Sequence, residues 1–386
     1  MSFSIESVLE AMVSVVPASA PLHVPEIGGN EWSYVKDCLD TGWISSVGSY
    51  VDQFETTLAS TTGAGYAIAT VNGTAALHTC LLLSGVNAGD EVIIPALSFV
   101  ATANAVSYCG AVAHFADSDE ATLGLDPQKL RDHLARIGTV RDGSLVNVET
   151  GRRIACVVGM HTFGHPVDLD GLSAVCQHHH LPLVEDAAES LGSYYKNRHT
   201  GTDGLLSAFS FNGNKIVTTG GGGAVVTNDK KLAAMAKHLT TTAKKKHAWE
   251  FDHDEIGFNY RMTNVSAAIG CAQLERLEEF LSRKRILASR YAEAFSNVNG
   301  VQFFEEPIEC RSNYWLNILL LDEAFQNQRD LVLKRLNEAG LMSRPAWKPL
   351  SDLSPYRNCP RMDLAVAESL YRRLINIPSN PSLTVL

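Results

Sequence analysis

Short runs of apolar and β-branched residues alternate with segments of helical periodicity through about the first two thirds of the chain. Within those segments, apolar positions recur at the spacing of helices that bury one face. Strands that alternate with helices in this way form a mostly parallel sheet covered by helices. The pattern therefore predicts an α/β layer with strands at residues 66–71, 90–94, 113–116, 154–159, 183–185, 206–211 and 224–227.

Further patterns precede, interrupt and follow this layer. Residues 1–20 predict an amphipathic helix, because Glu6 and Glu10 interrupt the apolar run and no basic segment precedes it as in a signal peptide. The remaining predictions from local pattern are helices at 30–40 and 51–61, a polar surface excursion at 138–152 and a rigid loop at 344–350.

One long helical pattern, from residue 264 to about residue 295, leads from the α/β layer to the rest of the chain. A helix of roughly thirty residues would span about 45 Å, which suits a bridge between two domains. Beyond it, a strand at 314–321 and a helix at 324–339 predict a small α+β domain. We therefore predict an N-terminal helical segment (1–40), a large α/β domain (41–275) and a small C-terminal domain (276–386).

The composition narrows the class of protein. With 45% hydrophobic and 19% charged residues, the 386-residue chain is typical of a soluble globular protein long enough for two domains. Its 42 acidic and 32 basic residues give a net charge of −10, which argues against nucleic acid as a partner. The eight cysteines form no CxxC pair, which favours reduced thiols in the cytoplasm. No apolar run is long enough to predict a membrane span.

The candidate chemistry centres on Lys215, which lies in a loop between two predicted core strands and precedes four consecutive glycines, residues 220–223. Glycines allow positive φ and a close approach of the backbone to a bound group. A lysine held between core strands is partly desolvated, which suits it to form a Schiff base. A glycine-rich hairpin with a solvated lysine is an equally good interpretation of this stretch alone.

A second motif, Asn72-Gly73-Thr74, lies between a predicted strand and a predicted helix. The amides at a helix N-terminus point into such a turn, and the helix dipole favours an anion there. Gly73 would permit close approach, and the Thr74 hydroxyl could bind a phosphate or cap the helix. The motif alone is equally consistent with a simple N-cap.

Asp186 ends a buried apolar strand, where a carboxylate requires a partner. That partner could be a cationic ring nitrogen or a metal ion. The nearby histidines are His161, His165 and the run at 178–180, and they lack the spacing of a strong metal site. The sequence therefore favours a cationic ring nitrogen and predicts no metal.

Further residues complete a set of partners for one cofactor. Phe99 could supply an aromatic face for a planar ring, although such a residue taken alone is more often plain core, and Ser210 supplies a hydroxyl close before Lys215. Pyridoxal phosphate needs a lysine for its aldehyde, a carboxylate for its ring nitrogen and an anion cradle for its phosphate. The set therefore favours a pyridoxal phosphate enzyme, in which the protonated ring is an electron sink and the lysine moves a proton.

Seven stretches carry a resemblance to a known family and follow that family's order over about residues 20–350. The chain resembles the DegT/DnrJ/EryC1/StrS family of sugar aminotransferases, which belong to fold type I of pyridoxal phosphate enzymes. The resemblance implies an aspartate aminotransferase-like fold with a large, mostly parallel α/β/α sandwich and a smaller C-terminal α+β domain. The stretches are GWISSVGSYVDQFE (42–55), TVNGTAALH (70–78), VIIPALSFVATANAV (92–106), VVGMHTFGHPVDLDGL (157–172), LPLVEDAAESLGS (181–193), AFSFNGNKIVTTGGGGAVVTN (208–228) and GFNYRMTNVSAAIGCAQL (257–274).

The resemblance also implies roles for single residues. Lys215 would form the Schiff base with the cofactor, and Asp186 would bind its ring nitrogen. Glu189 would lie by the phenolic oxygen of the cofactor, and Phe99 would stack on its ring. The residues that would hold the cofactor's phosphate are Gly73, Thr74 and Ser210.

Partners and substrates are implied in the same way. Asn259 would reach the phosphate of the neighbouring subunit's cofactor, which implies an obligate homodimer with shared active sites. L-Glutamate, the usual donor in the family, would convert pyridoxal phosphate to pyridoxamine phosphate. The C4 ketone of a nucleotide-linked sugar would then accept the amine. The residues that would face the nucleotide sugar are Trp43 and Ser46 in one loop, and Trp347 and Lys348 near the C-terminus.

The substrate branch is read from two stretches, PLHVPEIGGNEWSYVKDCLDTGW and FNGNKIVTTGGGG. They most resemble the branch that aminates UDP-linked 4-keto-6-deoxy-N-acetylhexosamines for legionaminic acid or bacillosamine pathways, and the GDP-perosamine synthases are the alternative. Many members have a glutamate where this chain has Gly221, so the function of that side chain is performed differently here. A dehydratase, in which histidine replaces the lysine, and a catalytically silent relative are disfavoured by Lys215 and the intact set.

Overall fold

The computed structural model describes residues 3–17 and 19–384, and its largest element is a seven-stranded sheet. The strands of the whole molecule are β1 (Tyr66–Thr70), β2 (Glu91–Pro95), β3 (Val112–Ala116), β4 (Gly138–Arg141), β5 (Ser144–Asn147), β6 (Ile154–Met160), β7 (Leu183–Asp186), β8 (Tyr194–Tyr195), β9 (Arg198–His199), β10 (Leu206–Ser210), β11 (Gly223–Thr227), β12 (Val301–Phe303), β13 (Cys310–Arg311), β14 (Asn317–Leu321), β15 (Arg344–Pro345) and β16 (Leu374–Ile377).

The helices follow the strands in alternation through the first part of the chain, as the hydrophobic pattern predicts. The α-helices are α1 (Ile5–Val15), α2 (Glu31–Thr41), α3 (Ser49–Thr62), α4 (Gly73–Leu83), α5 (Val100–Tyr108), α6 (Pro127–Ile137), α7 (Leu169–His178), α8 (Lys230–Thr240), α9 (Asn264–Glu275), α10 (Leu277–Phe295), α11 (Arg329–Glu338) and α12 (Ala365–Arg373). No helix among the described residues is long and apolar enough to cross a membrane.

The large sheet has the strand order β1-β11-β10-β7-β6-β2-β3. The neighbours from β10 through β3 pair in parallel, and only β11 runs against the others, between β1 and β10. Asp186 at the end of β7 is in register with Met160 of β6 on one side and Ala208 of β10 on the other. The prediction of a mostly parallel α/β layer is confirmed, and the carboxyl ends of three central strands meet where ligands of such sheets bind.

A second sheet, of order β12-β14-β16-β15, lies in the C-terminal part of the chain. Its buried apolar side chains form one core with those of α1, α10 and α11, and this core includes Val8 and Met12 of α1, Tyr291 of α10 and Leu336 of α11. The predicted N-terminal helix therefore packs on the C-terminal sheet and not on the large one.

The predicted long helix from residue 264 to about residue 295 is wrong in one respect, because it is divided in two. α9 ends at Glu275 and α10 begins at Leu277, and Arg276 between them has φ −104° and ψ 3°. The guanidinium of Arg276 pairs with Glu26 at 3.0 Å and with Glu279 at 3.0 Å. The apolar stripe continues through both helices, so the hydrophobic period alone could not reveal the break.

Two local predictions also change in the C-terminal part. The strand predicted from residue 314 begins at Asn317, because Tyr314 adopts a positive φ of 47°. The helix predicted at 324–339 starts as a 3₁₀ turn, Glu323–Gln328, and becomes α-helical at Arg329.

The polar stretch at residues 138–152 is more ordered than the predicted surface excursion. It forms the hairpin β4–β5, in which Gly138 pairs with Asn147. Leu145, Val146 and Asn147 are buried, and Leu145 packs in a core cluster with side chains of α6 and β6.

Candidate active site

A cavity of about 270 Å³ lies at the carboxyl ends of β6, β7 and β10 and at the N-terminus of α4. It has the placement that a ligand site takes in an open α/β sheet. Eight of the twelve residues that the sequence singled out line it: Gly73, Thr74, Phe99, Asp186, Glu189, Ser210, Lys215 and Trp347.

Lys215 projects into this cavity from the loop between β10 and β11. Its Nζ lies 3.2 Å from Glu189 Oε1 and 3.7 Å from the centroid of the Trp315 ring. The side chain is 13% exposed, so most of it is removed from solvent. The interpretation of the loop as a hairpin with a solvated lysine is therefore wrong.

The four glycines after Lys215 are not equivalent. A Cβ on Gly223 would lie 2.4 Å from the backbone of Asn72, and a Cβ on Gly222 would lie 2.2 Å from Thr219 Oγ1. Gly220 has a φ of +77°, in the left-handed region that favours glycine. A Cβ on Gly221 would contact nothing within 4 Å. Three glycines are thus required by packing or backbone conformation, and Gly221 is not.

The N-terminus of α4 forms one wall of the cavity. The side chain of Asn72 accepts a hydrogen bond from the Ala75 amide at 2.8 Å and so caps the helix. A Cβ on Gly73 would lie 2.7 Å from Ser210 Cβ, so only glycine lets the helix approach the end of β10. The capping alternative is correct for Asn72. The positive end of the α4 dipole still lies beside the Ser210 hydroxyl, and this position favours an anion.

Asp186 is buried at the floor of the cavity. Its Oδ2 accepts a hydrogen bond from Thr102 Oγ1 at 2.8 Å, and its Oδ1 accepts a longer one from the Ala188 amide at 3.3 Å. Burial raises the pKa of this carboxyl, and the two hydrogen bonds offset only part of the increase. The side chain therefore retains capacity for a further, preferably cationic, partner.

Glu189 faces Lys215 from the other side of the cavity floor. Its Oε2 accepts a hydrogen bond from the Phe163 amide at 2.8 Å, and its Oε1 contacts Lys215 Nζ. Burial raises the pKa of Glu189 to about 7, although the amine of Lys215 acts in the opposite direction. A carboxyl of this kind can exchange a proton with a neighbouring amine near neutral pH.

Aromatic side chains form the upper wall of the cavity. Phe99 is 50% exposed and its ring centroid lies 6.2 Å from that of Trp347. Trp347 stacks on the buried ring of Phe163 at 4.5 Å. Half of the Phe99 ring thus faces open space beside Asp186, which agrees better with a platform for a planar ligand than with a core residue.

Four predicted residues do not line this cavity: Trp43, Ser46, Asn259 and Lys348. Trp43, Asn259 and Lys348 are exposed, Trp43 by 58%, and Ser46 is half-buried. Arg261 Nε donates a hydrogen bond to Asn259 Oδ1 at 3.0 Å, and Asn264 Nδ2 donates one to the carbonyl of Trp43 at 2.7 Å. Within one chain, these residues are presented outward on ordered segments and not towards the cavity.

Sequence reasoning missed several residues around the cavity. Thr102 donates a hydrogen bond to Asp186 and is itself hydrogen-bonded to Ser98 at 2.7 Å. The spacing of these two hydroxyl residues, four positions apart, could have indicated Thr102 from the sequence. Trp315 lies against Lys215 and Asn313 donates to the carbonyl of Glu189 at 2.8 Å, but no local pattern marks either residue.

Of the nearby histidines, His161 and His165 are buried, whereas the run at 178–180 is half-buried or exposed. His161 Nε2 donates to Glu185 at 2.9 Å, and His165 is buried against the rings of Phe304 and Tyr314. Among the described residues, no group of three or more histidine, cysteine or carboxylate side chains could hold a metal ion.

Comparison with known proteins assigns the chain to a family. Residues 25–385 match the family model described as the DegT/DnrJ/EryC1/StrS aminotransferase family. The chain is 38% identical over 365 residues to the GDP-perosamine synthase of Escherichia coli O157:H7, with 94% of each chain covered. It is 37% identical over 361 residues to the GDP-perosamine synthase of Caulobacter vibrioides, with 93% of each chain covered.

The fold is shared with solved structures as well. The aminotransferase TlmJ from Streptoalloteichus hindustanus superposes with a TM-score of 0.84 and 30% sequence identity, over 95% of this chain and 94% of that one. The family resemblance and the α/β fold class predicted from the sequence are both confirmed.

Proposed function

From the premise that the chain belongs to the DegT/DnrJ/EryC1/StrS aminotransferase family, we propose that it moves an amino group from L-glutamate to C4 of a nucleotide-linked 4-keto-6-deoxy sugar. Membership of the family is enough to state that the protein is a pyridoxal phosphate-dependent sugar aminotransferase. The residue roles, the nucleotide, the position on the sugar and the assembly of subunits belong to the proposal.

The cavity fits pyridoxal phosphate by the chemistry of its donors. Asp186 has one strong hydrogen bond and spare acceptor capacity, which suits a protonated ring nitrogen. Gly73, Thr74 and Ser210 would hold the phosphate at the helix N-terminus, where a larger side chain at residue 73 would close the space. Phe99 would cover the ring. When bound, the cofactor supplies an electron sink for the carbon that loses its proton.

The observation that carries the proposal is the position of the Lys215 amine between Glu189 and the open cavity. In the proposed mechanism Lys215 would hold the cofactor through its Nζ, and the same amine would accept and return the proton that amino transfer moves. Glu189, with a pKa of about 7, would exchange a proton with that nitrogen or with the cofactor's phenolic oxygen. Because Lys215 is present, amino transfer is favoured over dehydration.

The relatives support a GDP-linked substrate, because the two curated relatives named above are GDP-perosamine synthases. A UDP-linked 4-keto-6-deoxy-N-acetylhexosamine is the second candidate, and it is supported by the segment from Pro21 to Trp43, which resembles the UDP-sugar branch. The exposed Trp43 and Lys348 and the half-buried Ser46, together with Trp347 at the cavity, would face the nucleotide sugar.

The test of function is an assay with purified protein, pyridoxal phosphate and L-glutamate, given GDP-linked and UDP-linked 4-keto-6-deoxy sugars in parallel. We expect a 4-amino sugar and 2-oxoglutarate in equal amounts from the GDP-linked compound. A product from the UDP-linked compound alone would assign the second candidate. If neither sugar is aminated by protein that binds the cofactor normally, the proposed substrate class is wrong.

We also propose a homodimer whose active sites are shared between subunits. It is supported by Asn259, which is exposed and outside the cavity of its own chain, and by the exposed side chains of Trp249, Phe251 and Ile256 just before it. Asn259 would then reach the phosphate site of the partner subunit.

Mixing two inactive variants tests this arrangement. Lys215→Ala removes the amine, and Asn259→Ala would remove the contact from the other subunit. If sites are shared, unfolding and refolding the two variants together restores one complete site per mixed dimer, or about a quarter of the wild-type activity. A mixture as inactive as its components, formed by protein that elutes as a dimer, would contradict sharing of this residue.

A further inference from the structure

Three hydrogen bonds hold Trp315 in place beside the Lys215 amine. Its backbone amide donates to Asn313 Oδ1 at 2.8 Å, and its indole Nε1 donates to the carbonyl of Asn214 at 2.7 Å. Asn214 directly precedes Lys215, so the indole is tied to the chain that carries the lysine. The third contact is to the Trp315 carbonyl, which accepts a hydrogen bond from Lys284 Nζ at 3.1 Å.

Glu189, on the opposite side of the Lys215 amine, is connected to Trp315 through the side chain of Asn313. Asn313 Nδ2 donates to the carbonyl of Glu189 at 2.8 Å and to that of Leu191 at 2.9 Å, while its Oδ1 accepts from the Trp315 amide. Glu189 and Trp315, which contact Lys215 Nζ at 3.2 Å and 3.7 Å, are therefore braced against each other through one side-chain amide. The lysine amine is confined from both sides.

Lys284 is an unusual residue to find at the back of this arrangement. It lies on α10 and is fully buried, and within residues 3–17 and 19–384 its Nζ donates only to the carbonyls of Trp315 and Ser379, at 3.1 Å and 2.5 Å. The part of the chain that the structure describes provides no carboxylate partner for it. Burial holds the pKa of Lys284 well below its usual value. A hydrophobic side chain of similar length would avoid the cost of burying an amine, so a lysine at this position calls for a role.

The carbonyl that Lys284 holds lies just before the second sheet begins. β14 starts at Asn317, two residues after Trp315, so this carbonyl is not paired in the sheet ladder. The Leu316 amide of the same peptide donates a longer hydrogen bond, of 3.3 Å, to the carbonyl of Phe163. Without Lys284, that bond alone would hold the peptide after Trp315, and Trp315 would lose one of its three anchors. A purely structural role would be to join Ser379 to this loop, and it predicts a loss of stability without any effect that is specific to Lys215.

We propose that Lys284 and Trp315 are positioning residues for Lys215. Lys284 fixes the backbone of Trp315, and the Trp315 ring holds the lysine amine at the angle and distance from which it bonds the cofactor's aldehyde. The aromatic face also attracts the protonated amine and so restricts its rotamers before the cofactor arrives. This inference rests on the role of Lys215 under the proposed function.

The test separates covalent attachment of the cofactor from binding to the pocket. Full-length apoprotein is mixed with pyridoxal phosphate, and the rise of visible absorbance gives the rate of attachment. Pyridoxine 5′-phosphate, which has no aldehyde, reports binding to the same pocket without any reaction at the lysine. We expect Lys284→Met to slow attachment by about tenfold, because a displaced amine meets the aldehyde less often in the reactive geometry. The dissociation constant of pyridoxine 5′-phosphate should remain within about twofold.

The second variant guards against a fold defect in the first. Trp315→Leu removes the ring and leaves Lys284 in place, and it should show the same selective slowing. Lys334→Met, a change of the same type at a lysine that is 71% exposed on α11, should match the wild type in both measurements. Lys215→Ala should abolish attachment and retain binding of pyridoxine 5′-phosphate.

The outcomes distinguish failure of the positioning role of Lys284 and Trp315 from failure of the role assigned to Lys215. If Lys284→Met and Trp315→Leu both attach the cofactor at the wild-type rate, the positioning role is wrong. If they weaken attachment and pyridoxine 5′-phosphate binding equally, the residues support the pocket as a whole and the inference is likewise overturned. If Lys215→Ala still attaches the cofactor, the assignment of the lysine fails first, and the role of Lys284 fails with it.

Discussion

Two adjacent carboxylates on β7, Glu185 and Asp186, differ in how completely the fold satisfies them. Successive side chains of a strand point to opposite faces of the sheet, so the two enter separate environments. Both are buried, yet Glu185 lies in a closed network and Asp186 lies at the floor of the open cavity. The donors to Glu185 are His161 Nε2 at 2.9 Å and the amides of Gly201, Asp203 and Gly204 at 2.7, 2.9 and 2.6 Å.

The pKa values of the two carboxyls are shifted in opposite directions from their ordinary values. Burial would raise the pKa of Glu185, but the hydrogen bonds from His161 and the loop amides outweigh it, and the pKa is lowered. Burial raises the pKa of Asp186, and the donors Thr102 and Ala188 do not compensate. A carboxylate with all its acceptor sites filled builds the fold, whereas one that is buried and partly unfilled is ready for a ligand.

The largest expected effect is on catalysis at the open carboxylate. Asp186→Asn removes the charge that would keep the cofactor's ring nitrogen protonated, so the rate of amino transfer should fall by about a hundred- to a thousandfold. The free energy of unfolding of the apoprotein should not decrease, because a buried and partly unsatisfied charge is removed. Steady-state kinetics and urea unfolding of the same preparation measure both quantities. A large loss of stability would mean that Asp186, like Glu185, is mainly structural.

The converse change should act on stability. Glu185→Gln replaces an acceptor-only group with an amide whose NH₂ faces backbone donors, and we expect the free energy of unfolding to fall by about 3 kcal/mol. The rate of amino transfer per folded molecule should remain close to that of the wild type. Thermal and urea unfolding, with activity normalised to folded protein, provide the measurement. An active-site defect without a stability defect would remove the distinction between the two residues.

Glu189 is a third buried carboxyl, and its effect on the free energy of unfolding should depend on pH. In the folded apoprotein this carboxyl keeps its proton up to a pKa of about 7, whereas in the unfolded chain it loses it near its ordinary value of 4.5. Between these values the unfolded state binds fewer protons, so the free energy of unfolding decreases as the pH rises, by about 3 kcal/mol in total. The Glu189→Gln apoprotein should lack this slope. Urea unfolding of both proteins at several pH values is the measurement, and equal slopes would show that burial does not control Glu189.

The smallest expected effect is at the exposed Gly221. Gly221→Glu places a side chain where a Cβ meets nothing within 4 Å, and the free energy of unfolding should change by less than about 0.5 kcal/mol. Gly223→Ala is the matched control, because its Cβ would lie 2.4 Å from the Asn72 backbone and should impair both folding and cofactor binding. If the two substitutions cost the same, the steric distinction among the four glycines is wrong.

Much of the α/β layer was readable from the sequence, since strand and helix periods are local properties. The strands ending at Met160, Asp186 and Ser210 were located to within about two residues, and parallel pairing then brought their ends together. The positions of Asn72, Gly73 and Lys215 followed from turn chemistry beside those strands. The family resemblance added the roles of Glu189 and Phe99, which composition and period do not reveal.

Other features depend on contacts between segments distant in sequence. Trp315 lies a hundred residues beyond Lys215 in the chain, and only the packing of α10 and the loop before β14 brings its ring to the amine. The break at Arg276 likewise lies at an ion pair with Glu26, which belongs to a segment outside both helices.

The sequence by itself determined the alternating layer and placed Lys215, Asp186 and the Asn72–Thr74 turn at its ligand-binding edge. Local hydrophobic period and glycine chemistry are sufficient for that. Only the tertiary structure decided which of two neighbouring carboxylates is left partly unsatisfied, because the amides that fill Glu185 come from the loop at residues 201–204. It also decided what surrounds the lysine amine, since Glu189, Trp315 and Lys284 meet there only when distant segments pack together.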